Sequence, residues 1–190
     1  MSGNLYIFAG RTTKRSIMTI DRTMQELTGV YRSPLGDIAL TSDGSALIGL
    51  RFAEATNGEP AQDIPPLEDA CRWLDIYFSG AKPDFTPRLA PQGTPFQQSV
   101  WRELFTIPYG QTVSYGHMAK RISCRSAQAV GGAVGHNPIA LIIPCHRVIG
   151  SDGHLTGYAY GLDRKQWLLA HEAQSTGQPY DSKYPCSASL

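Results

Sequence analysis

The sequence predicts two subdomains: an α/β N-terminal part built on a small antiparallel sheet, and a mainly α-helical C-terminal part containing a helix-turn-helix. Three observations carry this. First, "VYRSPLGDIALTSDGSALIGLRFAE" (30–54) has short apolar runs broken at Pro34-Leu35-Gly36 and at Asp43-Gly44, and Asp-Gly between β-type runs is a strong hairpin signal. Second, residues 83–93 contain Pro83, Pro87 and Pro91, which excludes a helix or central strand and reads as an extended linker. Third, beyond that linker apolar residues recur at helical spacing in short segments parted by turns. The expected order is a flexible extension (1–27), the α/β subdomain (28–82), the linker (83–93), the helical subdomain (94–174) and a tail (175–190).

Gly36 to Ala53 is expected to form two antiparallel strands. "PPLEDACRWLDIYFSG" sets Leu67, Cys71, Leu74 and Phe78 on one helical face, with Gly80 ending the helix, so Cys71 is expected to be a buried core thiol. Thr94-Pro95-Phe96-Gln97 is a capping box with proline at the first helical position; Phe96, Val100, Trp101 and Leu104 then keep helical spacing. After the turn Pro108-Tyr109-Gly110, Ser114 can cap a short helix whose Tyr115, Met118, Ala119 and Ile122 share a face. A break at Ser123–Ser126 precedes a second short helix with Ala127, Val130 and Val134 on one side. Two short helices joined this way form a helix-turn-helix, whose second helix usually meets DNA. Gly131 and Gly132 inside that helix each cost roughly 1 kcal/mol relative to alanine; close approach of DNA or of a neighbouring helix would offset this. Asp163, with Gln166 reaching back, is expected to cap a last helix that packs Trp167, Leu168 and His171 and ends near Glu172. After Gly177 the tail, with Cys186, is expected to be disordered.

With 190 residues, 42% of them hydrophobic, the chain can bury one good core or two small ones. No apolar run approaches the roughly eighteen residues of a membrane span, and the N-terminus lacks a signal-peptide pattern. The four cysteines are widely separated with no C-x-x-C, so they read as free thiols in a reducing compartment. That compartment is the cytoplasm, or the nucleus of a eukaryote. Net charge is +1, but residues 100–150 hold five basic residues against one acidic, an excess that fits an anion-binding surface or a solvated helix face equally well.

The chemistry concentrates at "LIIPCHRVIG" (141–150). A free thiol of ordinary pKa is only roughly 3% thiolate at neutral pH, so a nucleophilic Cys145 needs a base or a positive charge nearby. His146 and Arg147 follow directly, yet consecutive side chains of an extended chain point apart. Activation by His146 therefore requires a turn, which Pro144 favours, or a bridging water.

"IPCHRV" resembles the active-site signature of the O6-alkylguanine-DNA alkyltransferases, the methylated-DNA–protein-cysteine methyltransferases. The resemblance runs from about Ser33 to Glu172 and is strongest over "TPFQQSVWREL", "IPYGQTVSYGHMA", "AVGGAVGHNPIALIIPCHRVIGSDG", "TGYAYGL" and "RKQWLLAHE". It implies a DNA repair protein that flips an O6-alkylated guanine (with weaker action on O4-alkylthymine) out of double-stranded DNA. The alkyl group passes irreversibly to Cys145, once per molecule. His146 then takes the thiol proton through a water and Glu172 orients His146, a relay resembling the hydrolase triads. Tyr115 matches the family tyrosine that bonds the guanine ring, and Asn137 the asparagine bracing the turn before the active-site segment. Val148, with Tyr158, Ala159 and Tyr160 of the 155–160 loop, would receive the base. Ser114, Arg125, Ala127, Gln128, Gly131 and Gly132 would meet DNA from the minor groove. No cofactor and no metal is implied, and a monomer is expected.

Two departures stand out. Gln128 occupies the place where family members often carry an arginine finger, which predicts weaker base extrusion partly compensated by Arg125. Ala159 and Tyr160 stand where some members have serine and glycine, adding bulk at the pocket mouth. The nearest rival, a non-enzymatic alkyltransferase-like lesion binder, lacks the cysteine that Cys145 supplies here; a cysteine hydrolase using Cys145, His146 and Glu172 would turn over. His117, His136, His146 and His154 fit no zinc spacing with Cys145, and His117, His136 and His154 are expected at the surface. Arg147 is expected to be a buried hydrogen-bonding strut.

Overall fold

The computed structural model describes residues 26–54 and 64–177. Most of the expected N-terminal extension, and the tail from 178 with Cys186, lie outside the described residues.

The two antiparallel strands expected over 36–53 form, as β2 (Gly36–Ser42) and β3 (Leu47–Phe52), and a third strand that was not foreseen, β1 (Leu27–Ser33), precedes them; the sheet is antiparallel in the order β1-β2-β3. β2, in the middle, shows the alternation that sequence can reveal, burying Ile38, Leu40 and Ser42. β1 is an edge strand with a mostly part-buried pattern, so its periodicity is faint and residue 27, assigned to the extension, already pairs with Ser42. The Asp43-Gly44 turn forms as expected, with Asp43 Oδ1 accepting from the amides of Ser45 and Ala46, each at 2.8 Å.

Helix α1 (Pro65–Phe78) packs on this sheet. Its buried face is Leu67, Ala70, Trp73, Leu74 and Tyr77, rotated from the stripe that sequence favoured. Cys71 and Phe78 are only part-buried, because the wide aromatic rings of Trp73 and Tyr77 claim the interior instead. Burial, followed by the nearby charge of Asp75 and Glu68, still pushes the Cys71 thiol up to about 11.

The proline-rich linker runs beside β3: Leu47 N–H donates to Arg88 O at 2.8 Å and Ala90 N–H to Leu47 O at 2.9 Å. Further along the same strand, Leu50 N–H donates to Pro138 O and Ala140 N–H to Leu50 O, both at 2.9 Å. An open sheet edge is thereby covered, and the N-terminal subdomain grips the segment that leads into Cys145.

In the C-terminal subdomain, helix α2 (Pro95–Leu104) has the expected capping box between Thr94 and Gln97. Trp101 Nε1 donates to Ala133 O at 2.9 Å, fastening α2 to helix α4 (Ala127–Gly135). Helix α3 (Tyr115–Arg121) is capped by Ser114 and α4 by Ser126, and short strands β4 (Val113–Ser114) and β5 (Val148–Ile149) pair in parallel. Ala127 does not share the burial of Val130 and Val134, with which it was placed on one side: it is exposed, while Val130, Ala133 and Val134 are buried.

Helix α5 (Leu162–Thr176) differs at both ends from the reading above. Its N-cap is Gly161, at φ 91°, with no side-chain cap bond, so Asp163 sits inside the first turn, where its charge suits the helix dipole. The helix continues four residues beyond Glu172 and stops at Gly177 in a left-handed conformation. One core of buried residues spans both subdomains, from Ile38 and Leu50 to Leu104, Ile143 and Leu168.

Candidate active site

The approach to Cys145 is an irregular buried segment, and its backbone groups need partners. Asn137 supplies them: its Oδ1 accepts from Ile139 N–H at 3.0 Å and its Nδ2 donates to Ile143 O at 2.8 Å. Between those points Leu141 is held at φ 65°, a left-handed conformation that leucine adopts only when its surroundings impose it. Cys145–Arg147 then form a single 3₁₀ turn after Pro144. That turn answers the geometric objection raised by an extended Cys-His pair.

Below the turn lies α5. Glu172 is completely buried and accepts five hydrogen bonds. His146 Nε2 lies 2.7 Å from Oε1; Arg147 donates from Nε to Oε2 at 2.8 Å and from Nη2 to Oε1 at 3.0 Å. Tyr77 donates to Oε1 at 3.0 Å, and the Gly110 amide to Oε2 at 2.9 Å. Gly110 has φ 76°, and a Cβ there would lie 2.8 Å from Thr176 Oγ1, so no larger residue fits this anchoring turn. Arg147 also donates to Ile107 O at 2.9 Å, which makes it the strut that sequence suggested.

Burial alone would raise the Glu172 carboxyl, but the hydrogen bond from His146 and the charge and hydrogen bonds of Arg147 oppose it, and the carboxyl stays well below the usual carboxylate range. Burial, the largest effect on His146, lowers that imidazole; Glu172 raises it by charge and hydrogen bond, Arg147 and Lys165 lower it, and the balance falls below the ordinary value. The resting pair is therefore neutral His146 beside ionised Glu172, paired with Arg147. A carboxylate offers only lone pairs, so Nε2 carries the hydrogen and Nδ1 a lone pair. Nδ1 is buried and has no hydrogen-bond partner among the described residues. Burial pushes the Cys145 thiol up, against the opposing pull of Asn137, the Lys165 charge and the amides of Cys145 and His146. The resting group is thus a thiol, with an acceptor nitrogen on the next residue.

A narrow pocket with a cavity volume of about 10 Å³ is lined by Val134, Gly135, Asn137, Cys145, Gly157, Tyr158, Ala159 and Tyr160. Asn137, Cys145, Tyr158, Ala159 and Tyr160 are thus brought together as expected, while Val134 and Gly135 were not foreseen. Tyr160 meets Tyr158 at 5.5 Å and Phe52 of β3 at 5.3 Å, both edge-on. Tyr115 and Val148 do not line this space. The Tyr115 hydroxyl donates to Gly157 O at 3.1 Å, and Val148 is buried with its carbonyl accepting from Lys165 Nζ at 2.6 Å.

Lys165 was missed. Its side chain is completely buried, donates also to Thr156 O at 2.7 Å, and is lowered to about 8, chiefly by burial. It ties β5 to the pocket loop and brings a cation towards Cys145. The available signal was helical spacing: Lys165, Leu168, Leu169 and Glu172 share one face of α5.

On the outer side, Arg125, Ala127, Gln128, Gly132 and His136 are exposed, as are His117 and His154. A Cβ at Gly131 would meet the Tyr115 ring at 3.7 Å, whereas at Gly132 and Gly135 nothing among the described residues lies within 4 Å. Gly131 therefore faces the neighbouring helix and Gly132 an open surface. The Ser114 hydroxyl is occupied as the α3 cap, accepting from His117 N–H at 3.1 Å.

Fold and site together define a protein with a buried thiol, an adjoining buried histidine–glutamate pair and two short, partly exposed helices beside the pocket. Two family models match the chain: the 6-O-methylguanine DNA methyltransferase ribonuclease-like domain over residues 27–91, and the DNA binding domain of the same family over 95–174. A methylated-DNA–protein-cysteine methyltransferase of Methanosarcina acetivorans is 44% identical over 152 residues, 75% of this chain and 96% of the relative. One from Mycobacterium bovis is 46% identical over 155 residues, 78% of this chain and 92% of the relative. The crystal structure of Mycobacterium tuberculosis OGT in complex with DNA matches with a TM-score of 0.69 and 45% identity, covering 81% of this chain and 96% of that one. The chain belongs to the methylated-DNA–protein-cysteine methyltransferase family.

Proposed function

We propose that this protein repairs alkylated DNA by moving a methyl group from O6 of guanine to Cys145, with O4 of alkylated thymine a lesser substrate, and that each molecule acts once. The observation that carries the reading is the juxtaposition at the pocket floor: a protonated, buried thiol next to a neutral imidazole whose Nδ1 lone pair has no partner among the described residues.

The chemistry follows from these protonation states. A water between Sγ and Nδ1 passes the thiol proton to His146, and ionised Glu172 stabilises the imidazolium. The thiolate attacks the methyl carbon in line: the C–S bond forms, the C–O6 bond breaks, and the electron pair leaves with guanine. The proton that the released guanine takes up balances the one given by Cys145. The product is a thioether with no acyl carbon for water to attack, so turnover stops there; this separates the protein from a cysteine hydrolase. A lesion-binding protein without transfer has no need of Cys145.

The pocket is too small for a duplex, so the base must rotate out of the stack, at a cost of a few kcal/mol. In this reading α3, the 122–126 connection and α4 act as the helix-turn-helix, with α4 in the minor groove. Gly132 allows close approach of DNA, Arg125 meets phosphate and Gln128 fills the vacated stack. Of the basic residues of 100–150, Lys120 and Arg125 lie exposed on or beside these helices and support this face. Tyr115 exchanges its bond to Gly157 O for one to the guanine ring. The protein acts as a monomer in the compartment that holds the DNA, the cytoplasm of a prokaryote or the nucleus of a eukaryote.

The test is stoichiometry. With methylguanine duplex in excess, methyl groups transferred should plateau at one per chain, and Cys145→Ser should transfer none; continued turnover would overturn the proposal.

A further inference from the structure

The N-terminal subdomain lies outside the Cys-His-Glu relay in sequence, yet one of its side chains ends inside it. Helix α1 buries Tyr77 completely. Its ring stacks on Trp73 at 5.2 Å and is met edge-on by Phe78 at 5.4 Å and Tyr109 at 5.9 Å. Those contacts set the direction of the hydroxyl, which donates to Glu172 Oε1 at 3.0 Å, the same oxygen that lies 2.7 Å from His146 Nε2. Burial, then the Glu172 charge, pushes the phenol well above its ordinary value, so it remains a donor throughout the range in which the protein works.

We propose that Tyr77 is a positioning residue for alkyl transfer: by sharing Glu172 Oε1 with His146, it sets how much negative charge, and in which direction, the carboxylate presents to the imidazole. The proposal rests on the reading of Cys145 as alkyl acceptor and His146 as its base. The groups facing this pair come from five elements. Arg147 and Cys145 lie on the 3₁₀ turn, Lys165 on α5, Tyr77 on α1, and the Gly110 amide on the turn after α2, where Tyr109 sits 5.3 Å from the Arg147 guanidinium. Tyr158 of the pocket loop completes the set. Arg147 and Lys165 oppose a proton on His146, and Glu172 favours it. Donation from Tyr77 tempers Glu172.

Deleting that hydroxyl leaves more charge on Oε1, so His146 protonates at higher pH and can no longer accept the thiol proton. Tyr77→Phe keeps the ring stack. It should move the acid limb of the pH–rate profile upward by about half a pH unit or more, slowing transfer about 3- to 10-fold below the limb and little above it. Replacing Tyr77 by 3,5-difluorotyrosine, a stronger donor, should move the limb downward. Tyr109→Phe removes a neighbouring phenol that faces Ser175 at 3.5 Å rather than Glu172, and should leave the limb in place.

The experiment uses the full chain: single-turnover methyl transfer from a methylguanine duplex across pH, and NMR titration of the His146 imidazole in the same variants without DNA. The NMR arm needs no substrate. A wild-type chain that transfers no methyl thus refutes the functional reading while the Tyr77 proposal is still decided. Opposite shifts in the phenylalanine and difluorotyrosine chains support it. Coincident titrations, or shifts of the same sign in both, overturn it. Should Tyr77→Phe fail to fold, the difluorotyrosine chain decides alone: a downward shift supports the proposal, and no shift or an upward one overturns it.

Discussion

Cys145 lies between two regions built on opposite plans. Beneath it, Glu172 is closed off by five donors from α1, the 3₁₀ turn and the Gly110 turn, all within 3.0 Å. Above it, the pocket loop and the outer face of α4 leave Gln128, Gly132 and Ala159 exposed, and among the described residues Gly132 has nothing within 4 Å of where a side chain would begin. The lower region is determined by the protein alone, and losing Glu172 or Arg147 leaves a buried charge uncompensated. The upper region, in the proposed reading, is completed by its substrate, so its changes should alter selectivity far more than stability.

The largest effect should come from Glu172→Gln. It strips the buried Arg147 guanidinium of its counter-charge and should cost about 3–5 kcal/mol by denaturant unfolding, besides suppressing transfer. A loss below about 1 kcal/mol would show that the lower region is not held by charge. Its pH signature has a definite sign. The folded carboxyl binds its proton less readily than the unfolded one, whose ordinary value is 4.5, so its contribution is complete above that value and is lost as pH falls below it. Unfolding free energy of the wild type should therefore drop on acidification below about pH 4.5 more steeply than that of Glu172→Gln.

Asn137→Ala comes next. It leaves Ile139 N–H and Ile143 O without their partner, and should cost about 1–3 kcal/mol together with slower transfer as the Cys145 approach loosens. On the upper side, Tyr160→Gly removes a ring pinned between Phe52 and Tyr158, and should speed inactivation by free O6-benzylguanine about 10-fold while melting changes little. Equal inactivation rates would mean that Tyr160 does not restrict the pocket. The smallest effect belongs to Gln128→Arg, where a few-fold rise in the duplex-to-single-strand rate ratio is expected, with stability unchanged; an unchanged ratio would remove Gln128 as the limit on base extrusion.

What sequence revealed divides along the same line. Central β2, the Asp43-Gly44 turn, the Thr94–Gln97 cap and the Ser114 cap were legible because local chemistry decides each of them. Edge strand β1 was not, because half-solvated residues carry little alternation. The phase of α1 slipped because Leu67 and Leu74 fit either stripe, and only packing of the large rings selects Trp73 and Tyr77. At the site, Cys145, His146 and Glu172 were readable through the family resemblance. Lys165 and Tyr77 were obscured because their roles lie in contacts 8 to 95 residues distant along the chain, which no local pattern encodes.

The central claim is that the relay turns a resting thiol into a nucleophile used once. Incubating the protein with methylguanine duplex and weighing the intact chain, then its peptides, tests this directly. The account predicts the mass of a single added methyl group, confined to the peptide carrying Cys145 as an S-methyl thioether. An unmodified Cys145 after the lesion has been repaired, or a methyl group on Cys71 or Cys124 instead, would contradict it.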